Sequence, residues 1–296
     1  MTQMRIVVTG KEGQVVTSLI ERGAGKSEII ALGRPELDLG DAASISRALE
    51  AAKPDIIVNA AAYTAVDKAE SEHDLAMRVN GEGPGHVADV ATRLGVPLLH
   101  LSTDYVFDGT LDRPYRESDA TGPTGAYGRT KLEGERQVAR RCADWVILRT
   151  AWVYSPFGAN FVRTMLRLGE TRAELGVVAD QIGNPTSALD IADAVLAIAR
   201  RLKNDPSPNL RGVFHMTGSG EASWADFAQA IFAQAEKRGR ASVKINRITT
   251  ADYPTPAKRP ANSRLDNSKL HLAYGVNLPD WRVSLPFCVD RLLGVS

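Results

Sequence analysis

A chain of 296 residues with a formal net charge of +1 has room for a sizeable core and lacks the basic surplus that nucleic acid or an anionic membrane surface would select. Its two cysteines, Cys142 and Cys288, and its five histidines fall in no metal-ligand spacing, so neither a disulfide framework nor a bound metal is expected. No apolar run is long enough to span a membrane and no secretory-leader pattern precedes the first strand, which together read as a cytoplasmic protein.

The first element is a strand, Arg5–Thr9, followed by Gly10, Gly13 and a helix over Gln14–Arg22. In a dinucleotide-binding turn spaced G-x-x-G-x-x-G, the first glycine permits the turn. The second lets N–H groups approach a pyrophosphate at the helix N-terminus, and the third lets the helix lie close to the strand. The third position here is Val16. The expectation is an intact phosphate turn with its helix slightly off the sheet. The second strand, Glu28–Leu32, runs into Gly33 and Arg34. No carboxylate at its end accepts hydrogen bonds from ribose hydroxyls, and a guanidinium can grip a 2′-phosphate with two parallel hydrogen bonds. This predicts NADPH as the preferred cofactor with NADH still usable, and Asp38 able to reach the adenosine from the next loop.

A helix over Ala42–Ala52 leads to a third strand, Asp55–Asn59, and then to Ala60-Ala61-Ala62-Tyr63-Thr64, where three alanines leave room for a flat ligand against the backbone. A long helix is predicted over Ala76–Arg93. The fourth strand, Pro97–Ser102, delivers Thr103, Asp104 and Tyr105 to its carboxyl end. A helix from near Ala126 to Arg141 carries Tyr127 and Lys131, which share one helical face at i and i+4. An ammonium beside a phenol favours the phenolate and lowers its pKa, so the tyrosine can exchange a proton near neutral pH. The fifth strand is Trp145–Thr150, and Val213–Met216 continues the pattern. Beyond it come a helix over Ser223–Lys237 with Ser223 as N-cap and a Pro-rich stretch, Tyr253 to Pro260. Continuous apolar strands alternating with helices predict an α/β, Rossmann-like doubly wound parallel sheet with a smaller mixed substrate-binding lobe. The division expected is residues 1–155 with 189–216 for the dinucleotide, and 156–188 with 217–296 for the substrate.

The segments VVTGKEGQ, NAAAYTAVDKAE, RVNGEGP, HLSTDYVFDG, YGRTKLEGE, LRTAWVYSPFGANFVRTML, DQIGNPTSALDIA and RPANSRLD follow in order along nearly the whole chain. Together they resemble the extended short-chain dehydrogenase/reductase superfamily and, more narrowly, the dTDP-4-dehydrorhamnose reductase family. The resemblance implies reduction of the C4 carbonyl of dTDP-4-dehydro-L-rhamnose to dTDP-L-rhamnose. It makes Tyr127 the general acid, Lys131 the residue that tunes it and holds the nicotinamide ribose, and Thr103 a hydrogen-bond donor to the carbonyl oxygen. Gly13, Gln14 and Val15 would line the pyrophosphate turn, Asp38 and Leu39 would border the adenosine, and Ala60, Ala61, Ala62 and Thr64 would flank the cofactor. Asp104 and Trp152 would contact the sugar nucleotide, and Asn80 would order the helix behind the site.

Besides Val16, a second departure is Ser18, where some relatives carry a glutamate that helps bind a metal at a dimer contact. A metal-bridged dimer is therefore not expected, and a monomer or weak homodimer is. The expected partner is a small-molecule sugar nucleotide, with no nucleic acid and no membrane. Tyr105 stands where the dehydratases of the superfamily place a glutamate base, and a phenol is a poor base for removing a C5 proton. A reading of a different class is a non-catalytic binding homologue, such as the regulatory subunit of methionine adenosyltransferase. Thr103, Tyr127 and Lys131 together argue for catalysis.

Overall fold

The apolar runs pair as expected in the computed structural model, which describes residues 3–295. Strands β1 (Arg5–Thr9), β2 (Glu28–Leu32), β3 (Ile56–Asn59), β4 (Leu98–Thr103), β5 (Trp145–Thr150) and β10 (Gly212–His215) form one parallel sheet of six strands in the order β2-β1-β3-β4-β5-β10. Alternate residues bury on opposite faces. Ile6, Val8, Ile56, Val58, Leu99 and Val146 pack against α1 (Gln14–Gly23) and α7 (Ala188–Asn204). Val7, Ile57, Leu98 and Ile147 pack against α2 (Ala42–Ala52), α4 (Gly83–Leu94) and α5 (Ala126–Arg141). Strand order reverses between β1 and β3, and in open α/β sheets the ligand crevice lies at the carboxyl ends of strands that flank such a reversal.

The helix predicted over Ala76–Arg93 begins earlier and is interrupted: α3 (His73–Met77), a π-helical turn over Arg78–Glu82, then α4. Pro84 explains the interruption. It has no N–H for the carbonyl of Asn80, and its ring would strike that carbonyl in a regular α-helix, so the turn before it widens. Val16 is also absorbed by local packing. It is only 2% exposed and joins the core of the sheet, with its Cγ2 lying beneath the Gly10 turn.

The second lobe has its own core, including Tyr154, Val162, Phe227, Ile231, Trp281 and Leu285. It is built from α6 (Phe161–Gly169), α8 (Trp224–Glu236), α10 (Trp281–Leu293) and short strand pairs. Strands β6 (Val153–Tyr154) and β9 (Thr186–Ser187) pair in parallel, as do β7 (Glu174–Val178) and β12 (Lys244–Ile248), whereas β8 (Ile182–Gly183) and β11 (Ala222–Ser223) pair antiparallel. Ser223 caps α8 as expected, in a reciprocal capping box with Asp226. Helix α9 (Ser268–Tyr274) returns to the sheet, where Leu270 is fully buried in its core. Among the described residues no helix is long and apolar enough to cross a membrane.

Candidate active site

The glycine turn is shaped for close approach. Gly10 has φ +100°, and a Cβ there would come within 3.3 Å of Val16 Cγ2. Helix α1 starts from Gly13 with no side-chain cap, which leaves its first-turn N–H groups open to an anion. Gln14 is committed elsewhere: its Oε1 accepts from Ser155 Oγ at 2.7 Å and Asn160 Nδ2 at 3.0 Å, tying the turn to the second lobe. Val15 is half-buried against the sheet core. Thr9 Oγ1 accepts from the backbone N–H groups of Ala60 (3.1 Å) and Ala61 (3.0 Å) and donates to Asn59 Oδ1 at 2.7 Å. The alanine segment is thereby held beside the turn.

A cleft of about 620 Å³ opens there, lined by Gly10, Arg34, Asp38, Leu39, Ala61 and Ala62 among others. Ala60 is half-buried and Thr64 is exposed, and neither lines this cleft. Asp38 is fixed on the rim by accepting from Gly40 N at 2.8 Å. Arg34 is exposed, and among the described residues no carboxylate pairs with it, while neighbouring Lys11 pairs with Glu36. Arg78, from the π turn, also lines the cleft. It was not singled out from the sequence, where a long helix was expected over this stretch. Small residues, open amide donors and a free guanidinium fit an anionic dinucleotide with flat ends.

Helix α5 brings the second group of residues to the carboxyl end of β4. Backbone contact sets its approach: a Cβ on Gly128 would lie 2.2 Å from the Tyr105 carbonyl oxygen, and one on Gly134 would lie 2.1 Å from that of Asn80. The Asn80 amide, buried in the π turn, bridges two segments. It accepts from Tyr63 N at 2.8 Å and donates to Tyr63 O at 3.0 Å and Thr130 Oγ1 at 3.3 Å, joining the alanine segment to the helix. Lys131 is 3% exposed and donates from Nζ to the Leu101 carbonyl at 2.7 Å. Thr103 Oγ1 donates to Asp104 Oδ1 at 2.8 Å and accepts from Tyr105 N at 3.2 Å.

The electrostatics correct one expectation. Tyr127 is half-buried overall, but its phenolic end is enclosed. Burial, then the nearby Asp104 charge, pushes the phenol well above its ordinary value, and the neighbouring Thr103 hydroxyl only partly opposes them. Lys131 is not among the groups that lower it here, and its Nζ donates to Leu101 O instead. Burial also brings Lys131 down to about 8, with Glu135 pulling it back up. Asp104, 2% exposed, is lifted by burial to about 7. Tyr105 meets Tyr127 edge-on, with ring centroids 5.6 Å apart, and burial raises its phenol, so no base stands at that position.

Trp152 sits where the lobes meet. Its φ of +47° is an uncommon, strained conformation for a bulky residue. Its ring stacks on Trp224 at 3.5 Å with 7° between planes, and its indole N–H donates to Ser263 Oγ at 3.1 Å. Gly183 makes room, since a Cβ there would lie 2.5 Å from Trp152 Cε2. Trp224 and Ser263 were not singled out from sequence, although an aromatic immediately after an N-cap serine and the RPANSRLD segment carry the signal. Ser18 is fully buried and donates to Gln14 O at 2.8 Å. Among the described residues no group of three His, Cys, Asp or Glu side chains is placed to hold a metal.

The family model described as the RmlD substrate binding domain matches residues 4–293. A dTDP-4-dehydrorhamnose reductase of Sinorhizobium fredii is 53% identical over 290 residues, covering 98% of each chain. The crystal structure of a dTDP-4-dehydrorhamnose reductase from Clostridium acetobutylicum superposes with a TM-score of 0.91 at 40% identity, over 98% of this chain and 100% of that one. The Bacillus anthracis enzyme of the same name, solved in complex with NADP, superposes with a TM-score of 0.90 at 33% identity, over 97% of this chain and 99% of that one.

Proposed function

We propose, from the premise that this chain belongs to the RmlD family of dTDP-4-dehydrorhamnose reductases, that it reduces the C4 carbonyl of dTDP-4-dehydro-L-rhamnose through Tyr127, Lys131 and Thr103. The observation that carries the assignment of roles is the convergence of α5 and the end of β4. Tyr127 lies by Thr103, and Lys131, one turn on, donates to the Leu101 carbonyl on the same strand, beside a glycine turn with uncapped helix amides. A bound dihydronicotinamide supplies the hydride that makes this carbonyl reduction possible. The protein's task is to meet the negative charge that develops on O4 and to deliver one proton to it. Tyr127 donates that proton from its phenol. Burial keeps the phenol protonated, which is the form from which a general acid must start. Thr103 donates to the same oxygen by exchanging its present acceptor, Asp104, for the substrate. Lys131 has three N–H donors and commits one to Leu101 O. Two remain for the ribose hydroxyls and for the phenolate left after proton transfer.

NADPH is the cofactor proposed, with NADH usable. Arg34 would take the 2′-phosphate, Gly10, Gly13, Gln14 and Val15 would form the pyrophosphate turn, and Asp38 and Leu39 would border the adenosine. Ala60, Ala61, Ala62 and Thr64 would flank the rest of the cofactor, and Asp104 and Trp152 would contact the sugar nucleotide. The test is turnover. Purified protein with the keto-sugar and NADPH should consume reduced nicotinamide and release dTDP-L-rhamnose. Tight binding of both without turnover would favour the non-catalytic reading instead.

A further inference from the structure

Helix α5 presents three side chains to β4, spaced i, i+4 and i+8, and two of them form hydrogen bonds with the strand. Tyr127 meets Thr103, Lys131 donates to Leu101 O, and Glu135 accepts from Ser102 Oγ at 2.5 Å. The third of these is unexpected. Glu135 and Arg149 are each 4% exposed, and they pair in a two-pronged contact, Nε to Oε1 at 2.9 Å and Nη2 to Oε2 at 2.7 Å. The guanidinium also lies 5.0 Å over the Phe107 ring, while Arg149 Nη1 has no partner among the described residues. Such a pair contributes little stability compared with apolar residues of the same volume, because desolvating two charges offsets their attraction. Holding helix to strand is therefore a weak reason to bury it.

The neighbour one turn back supplies a better reason. The ammonium of Lys131 is buried with a single protein acceptor, and burial disfavours its charge. The charged or titratable groups that act on it are Glu135, one turn on along α5, and His100 on β4, with Arg149 on β5 paired to Glu135. His100 is fully buried, and burial together with Lys131 holds it neutral. Glu135 is the member of this set that supports the ammonium.

We propose that Glu135, clamped by Arg149 and Ser102, is a positioning residue that supplies the counter-charge fixing the Lys131 ammonium between Leu101 O and the cofactor ribose. This rests on the reading of Lys131 as the residue that holds the cofactor. Replacing Glu135 alone would strand Arg149 in the interior, so the main test is the double variant Glu135→Gln/Arg149→Met, with Ser102→Ala as a variant that keeps both charges. NADPH affinity and kcat/KM are measured from pH 6 to pH 9, after circular dichroism has established folding.

The expected result is a basic limb moved down by about one pH unit in the double variant, which is about fivefold weaker NADPH binding at pH 8, approaching tenfold at pH 9, with near-normal binding at pH 6. Ser102→Ala should move the limb less and in the same direction. A folded double variant with the wild-type basic limb would overturn the proposal and leave the pair as a purely structural tie. If the double variant does not fold, Ser102→Ala decides alone, and an unmoved limb overturns the proposal. Lys131→Met is the control for the underlying reading. It should bind NADPH weakly at every pH, with no basic limb of this origin. Wild-type binding and turnover in Lys131→Met would refute the cofactor role itself, whatever the Glu135 variants do.

Discussion

Replacing Asp104 with asparagine should make the protein more stable and a poorer catalyst. Asp104 is 2% exposed, and its Oδ2 has no hydrogen-bond partner among the described residues. Burial lifts its carboxyl from 3.8 to about 7 despite the hydrogen bond from Thr103. The folded chain therefore holds this proton more tightly than the unfolded chain. The sign follows: this group's contribution to stability falls as pH rises from about 4 to about 7 and is level above that. At 1.36 kcal/mol for each pH unit, the charged carboxylate costs the folded state up to about 4 kcal/mol above neutrality. Asparagine keeps an oxygen for the Thr103 hydroxyl and removes the charge. Asp104→Asn should exceed wild type by about 2–4 kcal/mol at pH 8 and match it near pH 4 in urea unfolding at the two pH values. Other titrating groups are common to both proteins and cancel in the difference. Its kcat/KM for the keto-sugar should fall, since this carboxyl is proposed to contact the sugar nucleotide. A stability difference that is the same at both pH values would refute the reasoning.

Tyr127→Phe keeps the ring edge against Tyr105 and removes the proton donor; kcat should drop about 100-fold or more with NADPH affinity little changed, and near-normal turnover would exclude Tyr127 as the acid. Trp152→Ala removes half of the stack with Trp224, so it should lose about 2–3 kcal/mol in thermal or urea unfolding yet remain folded, with a raised KM for the sugar nucleotide. A folded variant with unchanged KM would make Trp152 structural only. Arg34→Ala should weaken NADPH by about 1.5–3 kcal/mol in a titration and leave NADH nearly unchanged, whereas equal losses for both would remove Arg34 from cofactor selection.

The parallel sheet was legible because each of its strands is a local apolar run and the helices between them supply the crossovers. Of the second lobe, the helix after the Ser223 cap was legible, and the rest only as a change of composition. Its strands β7 and β12 pair Glu174 with Lys244 and Val178 with Ile248, and no local pattern announces a partner so far along the chain. The π turn was hidden for another reason. Gly81, Gly83 and Pro84 are weak helix formers, and sequence spacing cannot distinguish a helix that breaks from one that widens. At the site, spacing on α5 identified Tyr127 and Lys131. It did not foresee that the lysine would spend a donor on the Leu101 carbonyl, because a backbone acceptor leaves no mark in the sequence. Glu135 lay four residues further along the same face and was readable in principle. Its importance depends on Arg149, which the fold brings in from β5.

The two glycine contacts of α5 set a mechanical tolerance for the Tyr127 phenol, the proton donor proposed above. A methyl group at position 128 would have to clear the Tyr105 carbonyl by moving the helix outward about 1 Å. Displacements of that size in reacting groups lower rates by about 100-fold. The phenol is thus located by backbone resting on backbone, which side-chain repacking elsewhere does not disturb. The Trp152–Trp224 pair where the lobes meet, by contrast, is held by side-chain contacts, a ring stack and an indole hydrogen bond among them. Variation that seeks other keto-sugars therefore has a natural direction. It can redraw the second lobe around Trp152 and Trp224 while the Tyr127 phenol keeps its station, so that, on the proposed roles, acceptance of a new substrate and loss of the chemical step become separable events.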